Sequence, residues 1–311
     1  MNDFQSDLFA VSRLIRRNVG SFLKEPMTVF FSLLSPLIIL LLYALFLRGI
    51  QVDGIAATLG GTGVSSAKVG ALVDCWLVSS LLSISCLTVA LNSMLVMVSD
   101  KGGGKLKDFL VSPVKPSILT ISYFLSFFII TVAIAFILFA VCLVYLAAAG
   151  AFFLSLGDAL SLIGLIVLSC FSSVTVLMLV MGFFKSSSAS GGFSGIFSAM
   201  IGFFTGAYMP ISTFPLGVQY AANILPGSHS TALFRNILMN GAINRIADGL
   251  PDKHFAETFI SNIQTTYSFK LNFFGTDMNT GMMYAYLAAS VVIFFILNIV
   301  AEKYKKKKMS V

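Results

Sequence analysis

Six stretches of this sequence are long and apolar enough to cross a lipid bilayer, and they constrain the fold more than any other feature. A membrane-spanning helix needs about 20 mostly apolar residues. The stretches are 27–47, 69–98, 119–149, 159–184, 191–209 and 282–301. Only 11% of the 311 residues are charged, against about 25% in soluble domains. A water-soluble fold is excluded, and we expect an all-α integral membrane protein with six transmembrane helices over residues 27–301.

The distribution of Lys and Arg predicts the orientation of these spans. Cytoplasmic loops carry an excess of positive charge. With the N-terminus inside, 14 of the 20 Lys and Arg residues fall on the cytoplasmic side, including the basic tail 302–311. This predicts a multi-pass plasma-membrane protein with both termini cytoplasmic. Residues 1–26 lack the apolar core and cleavage site of a signal peptide, so the first span is expected to act as an uncleaved insertion signal.

Residues 1–26 also have the pattern of an amphipathic helix that lies along the lipid headgroups. Apolar positions recur at a helical spacing, and Arg13, Arg16 and Arg17 are grouped beside them. Pro26 marks the turn into the first span. A disordered basic tail is the alternative interpretation of the same segment.

The longest region between spans, 210–281, divides into two parts. Its first half is too apolar for a solvated loop and predicts two short helices, broken at Pro226–Gly227, that dip into the outer leaflet as a re-entrant hairpin. The second half, 242–280, carries most of the charges and predicts a small external element. The two histidines of the chain, His229 and His254, also lie in this region.

Several classes of chemistry lack their signatures in the sequence. There is no GxxxxGK[ST] phosphate-binding loop and no HExxH zinc motif. The four cysteines form no CxxC pair. The spans carry almost no ionisable residues, and Asp74 and Asp158 are expected to reach water at the outer ends of their helices. We therefore expect no catalytic residue, no metal site and no bound cofactor in this chain.

Two spans carry stripes of small residues. Ser79, Ser83, Cys86 and Ser93 share one face of the second span, and Gly195, Gly202 and Gly206 recur along the fifth. Such stripes are typical of close helix packing. They are also suited to lining a transport pathway or a subunit interface, and the two interpretations are compatible.

The cytoplasmic loop 99–117, SDKGGGKLKDFLVSPVKPS, lies between the second and third spans. Its glycines permit a sharp turn, residues 105–111 can form a short amphipathic helix, and Pro113 and Pro116 end that helix before the next span. An exposed helix with an apolar face is suited to docking in a groove of another protein. A solvated basic loop that only fixes topology is the alternative.

The whole pattern resembles the permease subunit of the type-2 ABC transporter family, the exporters with six spans per permease. The resemblance rests on the N-terminal helix, on KGGGKLKDFLVSPVKPS between two long spans, and on YMPISTFP and ILPGSHSTALFRNILMNG before the last span. It implies one half of a dimeric bacterial export channel, paired with an identical or homologous permease. ATP and Mg²⁺ would be bound by a partner pair of ABC ATPase subunits. No nucleic acid is implied.

The resemblance also assigns roles to residues. The contacts that receive the ATPase stroke would be made by Asp100, Lys101, Lys105, Leu106, Phe109, Leu110, Arg13 and Arg16. Few charges in the spans favour a hydrophobic or amphipathic cargo such as a drug, a peptide toxin or a lipid-like molecule. The alternatives are a polysaccharide or teichoic-acid exporter permease, and a non-transporting membrane scaffold or enzyme.

Overall fold

A computed structural model describes residues 3–60, 62–105 and 114–309, and nearly all of the regular structure in these ranges is helical. An α-helix satisfies its own backbone polar groups, which is what a lipid environment requires. In chain order the helices are α1 Asp3–Leu23, α2 Pro26–Leu42, α3 Arg48–Thr58, α4 Ser66–Ser93, α5 Leu95–Gly102, α6 Pro116–Ala148, α7 Leu156–Met181, α8 Ser187–Phe204, α9 Leu216–Ile224, α10 Pro226–Leu238, α11 Asn240–Ala247, α12 Lys253–Thr266 and α13 Thr280–Met309.

The first spanning segment is longer than the sequence predicts. A π-helical turn, Tyr43–Leu47, joins α2 to α3 without interrupting the helix, which continues to Thr58. The sequence predicts an end at Leu47 because a charged residue, Arg48, follows it. The helix continues because Arg48 forms an ion pair with Asp74 of α4, so its charge is neutralised within the protein.

α4 is the central helix of the bundle. Every residue from Val69 to Ser93 is buried, and the helix packs against α2, α6, α7 and α10. The predicted span 69–98 covers most of α4 and the start of α5, which are separated by a single turn residue, Met94.

α6 and α7 flank the central helix. α6 has 33 residues, about 50 Å at 1.5 Å per residue, and must tilt in or extend beyond a hydrocarbon core of about 30 Å. α7 begins with a capping box in which the Ser155 hydroxyl accepts a bond from the Asp158 backbone N–H (3.1 Å), while the Asp158 carboxylate accepts one from Ser155 (2.9 Å). Asp158 thus lies at a partly exposed helix start.

The region after α8 contains the two short helices expected there, α9 and α10, with the break before Pro226. A 3-10 turn, Ile211–Thr213, precedes them, and α11 and α12 follow. An antiparallel hairpin of β1 Leu271–Phe273 and β2 Thr276–Met278 then leads into α13. This hairpin lies within the predicted external element 242–280, and it departs from the all-α prediction, whereas the other regular structure of the described residues is helical.

Five helical segments of the described residues are long and apolar enough to cross a membrane, judged on length and composition. They are Pro36–Thr58, Ser66–Gly102, Ser117–Ala148, Leu156–Met181 and Thr280–Ala301. The predicted fifth span corresponds to α8, which has 18 residues rich in serine and glycine and is not among the five. One end of the bundle, where α4 begins, carries α3, α11 and α12, and the other carries α1 and α5.

Candidate functional site

α1 lies against the bundle through one face. Leu14, Asn18 and Phe22 follow one another at a spacing of four residues and are all buried, as expected for the inner face of an amphipathic helix. Arg13 and Arg16 are exposed, and the Arg13 guanidinium lies 4.9 Å from the centroid of the Phe9 ring. The two arginines predicted to couple to a partner therefore face away from the bundle.

A third arginine, Arg17, connects α1 to α5. Its guanidinium donates two hydrogen bonds of 2.5 Å to the two carboxylate oxygens of Asp100. The Asp100 side chain is 3% exposed and that of Arg17 is 29% exposed. The Tyr123 hydroxyl of α6 donates a further bond of 2.6 Å to Asp100. One carboxylate thus joins three helices, and we call Arg17, Asp100 and Tyr123 the carboxylate latch.

Further bonds extend this connection between α1 and α6. The Asn18 amide accepts a bond from Arg17 (3.0 Å) and donates one to the Ser126 hydroxyl (3.2 Å). Nearer the start of α1, the Lys115 ammonium lies 2.6 Å from the Asp7 carboxylate. The hydrogen bonds to Asp100 raise the pKa of the Arg17 guanidinium above its usual value, since they favour its charged form.

α5 also contacts the turn between α7 and α8. Lys101 donates a bond of 3.4 Å to the carbonyl oxygen of Gly182. A methyl group added at Gly102 would lie 3.4 Å from the carbonyl oxygen of Lys185, so the two backbones approach closely. α5 is thereby held between α1 on one side and the α7–α8 turn on the other.

The predicted coupling residues that the structure describes do not form one cluster. Asp100 is buried in the latch and Lys101 binds the α7–α8 turn, while Lys105 lines a cavity of about 260 Å³ between α1, α5 and the start of α8. Leu106, Phe109 and Leu110 lie outside the described residues. Sequence reasoning grouped Arg17 with its neighbours and missed Tyr123. The helical spacing could have indicated Arg17, because it lies three positions after the buried Leu14 and therefore borders the inner face of α1.

The four small residues singled out on α4 are buried within this chain. The Ser83 hydroxyl donates a bond of 3.1 Å to the Gly227 carbonyl and accepts one of 2.6 Å from Thr231, both in α10. The Cys86 sulfur lies 3.6 Å from that of Cys170 in α7. Ser79 and Ser93 each bond to a carbonyl oxygen three residues earlier in α4. Contacts inside the chain account for all four, and their role in a pathway stays a prediction.

The glycine stripe of the fifth predicted span does not form one surface. Gly195 is exposed, together with Gly191 and Ala199 on the same face of α8. Gly202 is buried beneath the Tyr208 ring. Gly206 lies beyond the end of α8 and has a positive φ of 69°, which glycine adopts readily where a helix terminates. The helix ends at Phe204, so Gly206 serves the turn and cannot continue the stripe.

Arg235, which lies in the segment predicted to form a re-entrant hairpin on the outer side, is 1% exposed in α10. Its guanidinium donates to the carbonyl oxygens of Thr205 (3.0 Å), Gly206 (2.7 Å) and Tyr267 (2.8 Å). The end of α8, α10 and the end of α12 are therefore joined by one side chain. Only arginine presents several donors in a fixed planar fork, so a run of backbone carbonyls is a suitable set of partners for it.

A second buried carboxylate lies at the end of the bundle where α4 begins. Asp74 is 1% exposed and accepts bonds from Arg48 Nε (3.1 Å), Arg48 Nη2 (3.3 Å), Tyr145 (3.0 Å) and Tyr43. The expectation that Asp74 reaches water is wrong. α4 begins at Ser66, so Asp74 is in its third turn and needs protein partners.

The comparisons with known proteins give one result. A family model described as ABC-2 family transporter protein matches residues 50–300, which is most of the chain. No protein with a curated description matches the chain. The matched region begins in α3 and ends in α13, so it contains α5, α6 and the Asp100 and Tyr123 side chains of the latch.

Proposed function

Since the chain belongs to the ABC-2 transporter family, we propose that it is the membrane-spanning permease subunit of an ATP-driven exporter in a bacterial plasma membrane. A pair of separate ABC ATPase subunits hydrolyses ATP with its own Mg²⁺, and this chain has no enzymatic activity and binds no cofactor of its own. The lack of a phosphate-binding loop in the sequence supports this division of labour.

The proposed topology has six spans, with α8 as the fifth and α9–α10 as a re-entrant hairpin. α8 has 18 residues, about 27 Å long, which is close to a hydrocarbon core of about 30 Å. An even number of spans places both basic ends of the chain, residues 13–24 and 303–308, in the cytoplasm. The end of the bundle that carries α1 and α5 then faces the ATPase.

The carboxylate latch is the observation that supports a coupling role at this end. α1 and α5 contain polar residues that contact each other, and α5 continues into the loop 99–117. A force applied by an ATPase to that loop would reach α1 and α6 through the latch and the α7–α8 turn through Lys101. Coupling between separate sites is carried by rigid helices and by the hydrogen-bond and ion-pair networks that join them.

The proposed assembly contains a second permease, identical or homologous, which contacts the small residues of α8. Gly191, Gly195 and Ala199 leave that face of α8 flat and exposed, and small residues let two helices in lipid approach closely. The cargo is a hydrophobic or amphipathic molecule, because the spanning segments offer few charges to a polar one.

The test is purification of the tagged chain from its native host in mild detergent, followed by ATPase assay of the co-purifying subunits. We expect an ATPase to be recovered, and changing Leu106, Phe109 and Leu110 together to Asp to release it. The control is Phe274→Asp, since Phe274 is an apolar side chain, 60% exposed, at the other end of the bundle. An ATPase that stays bound to the triple variant would exclude the loop as its docking site. A chain that never carries an ATPase would exclude the permease function.

A further inference from the structure

A polar cavity of about 300 Å³ lies at the end of the bundle where α4 begins. α9, the end of α12, the connection to β1 and the hairpin form its walls. Most of the side chains that line it are uncharged amides and hydroxyls, with one cation, Lys270, and one anion, Asp277. Opposite charges leave the cavity without net charge, so it offers hydrogen bonds of both kinds but no field that favours an ion.

One amide that lines this cavity has a side-chain oxygen without a hydrogen-bond partner. Asn223 is 2% exposed, and its side-chain oxygen has no partner among the described residues. Its amide nitrogen donates to the Asn272 carbonyl oxygen at 2.8 Å. This bond fixes the orientation of the amide, because a rotated amide would bring two acceptors together. Asn223 therefore carries a buried acceptor that a donor from the cavity would satisfy.

The backbone around Asn223 is held in place independently of any ligand. His229 Nε2 donates to the Asn223 carbonyl oxygen at 2.8 Å, and the His229 ring stacks on Tyr286 with centroids 4.0 Å apart. The acceptor is thus fixed before a ligand arrives, which is the condition under which a single hydrogen bond contributes most to affinity.

A second residue of the cavity has an unusual conformation. Ser268 follows the end of α12 with a positive φ of 55°, and Phe269 N–H closes the turn on the Gln264 carbonyl at 2.9 Å. Glycine is the usual residue at this position because it has no side chain to strain. Ser268, 7% exposed, lines the cavity at the expense of backbone strain.

From these features we propose that the cavity binds a neutral, hydroxyl-rich molecule about the size of a monosaccharide. The volume is at the lower limit of ligand sites, amide and hydroxyl side chains can donate to and accept from sugar hydroxyls, and the unpartnered Asn223 oxygen requires a donor. The cavity is lined by the 3-10 turn Ile211–Thr213, α9 and later residues and not by α4 or α8, so the site is separate from the helices proposed for the permease interface and does not depend on the transport function.

The test uses the full-length protein in lipid nanodiscs, because many mild detergents carry sugar headgroups that would occupy the site. Saturation-transfer NMR is recorded with methyl glucoside, N-acetylglucosamine, glycerol and, as a zwitterion, alanine. We expect transfer to at least one saccharide and none to alanine. Competition by a glycolipid placed in the nanodisc then distinguishes a lipid-borne sugar from a free one.

Two variants and one control make the site assignment specific. Ser268→Gly relieves the positive φ, so its fold should be at least as stable, yet it should weaken saccharide binding about two- to tenfold through the lost hydroxyl. Asn223→Leu should abolish binding. Asn262→Ala, on the same helix α12 but lining a neighbouring groove, should bind as the parent protein does. Binding that Ser268→Gly and Asn223→Leu leave unchanged, transfer to alanine alone, or no transfer to any saccharide in correctly folded protein would each overturn the proposal.

Discussion

Replacing Arg17 with alanine tests whether the carboxylate latch holds α1 against the bundle. The substitution leaves the Asp100 carboxylate buried with one donor, the Tyr123 hydroxyl at 2.6 Å. Breaking a fully buried ion pair costs about 3–5 kcal/mol, whereas an exposed pair contributes about 0–1 kcal/mol. Since Asp100 is 3% and Arg17 29% exposed, we expect an intermediate cost of about 2 kcal/mol.

The assay is hydrogen exchange of the α1 backbone amides, measured by mass spectrometry in nanodiscs. If α1 exchanges by detaching locally from α5 and α6, a loss of about 2 kcal/mol should speed its exchange about 30-fold. Arg16→Ala is the matched control, because it removes the same charge from the same helix at an exposed position. It should change the exchange rate by less than about threefold.

The double variant separates the ion pair from general damage to α1. In an Asp100→Asn background no buried charge is left unpaired, so adding Arg17→Ala should cost less than about 1 kcal/mol. Equal exchange rates in Arg17→Ala and Arg16→Ala, or full additivity in the double variant, would refute the conclusion that the latch holds α1.

Two further predictions concern the other end of the bundle. Arg235→Ala leaves three backbone carbonyls without their donor and should lower the free energy of unfolding by at least about 3 kcal/mol. We expect the variant to lose its monodisperse peak on size-exclusion chromatography. Arg245→Ala, at an exposed position, should elute as the parent protein does. Gly241→Ala would place a methyl group 2.6 Å from Cβ of Phe153 and should lower the thermal midpoint by the equivalent of about 1–3 kcal/mol. Gly164→Ala, whose methyl group would meet nothing within 4 Å, should leave the midpoint unchanged or raise it, because alanine is the better helix former. Equal midpoints of the two variants would contradict the packing argument.

The helical membrane architecture could be predicted because it depends on the length and hydropathy of single segments. Five of the predicted spans correspond to helices that are long and apolar enough, and the break before Pro226 follows from proline chemistry. Helix ends next to charges were predicted less well. The charge of Arg48 predicts that the span ends before it. Its contact with Asp74, 26 residues away, explains why the helix continues.

The candidate site could be located from the sequence but its partners could not be assigned. The loop after α4 is recognisable from its glycines, lysines and prolines, whereas the choice of Arg17 over Arg13 and Arg16 depends on how α1 is rotated against α6. Arg235 shows the same limit, because its partners are backbone carbonyls, which leave no trace in the residue types. The hydrogen bonds and ion pairs between segments far apart in the sequence could not be predicted.

The hydrogen bonds within α4 have a consequence for how the chain is made. A nascent segment leaves the insertion machinery before its neighbours exist, and an unsatisfied hydroxyl in lipid is costly at that moment. The Ser79, Ser85, Thr88 and Ser93 hydroxyls all donate to carbonyls one turn back in α4 itself. These four hydroxyls therefore need no neighbouring helix when α4 enters the bilayer, whereas Asp74 needs partners on other helices and Ser83 needs α10.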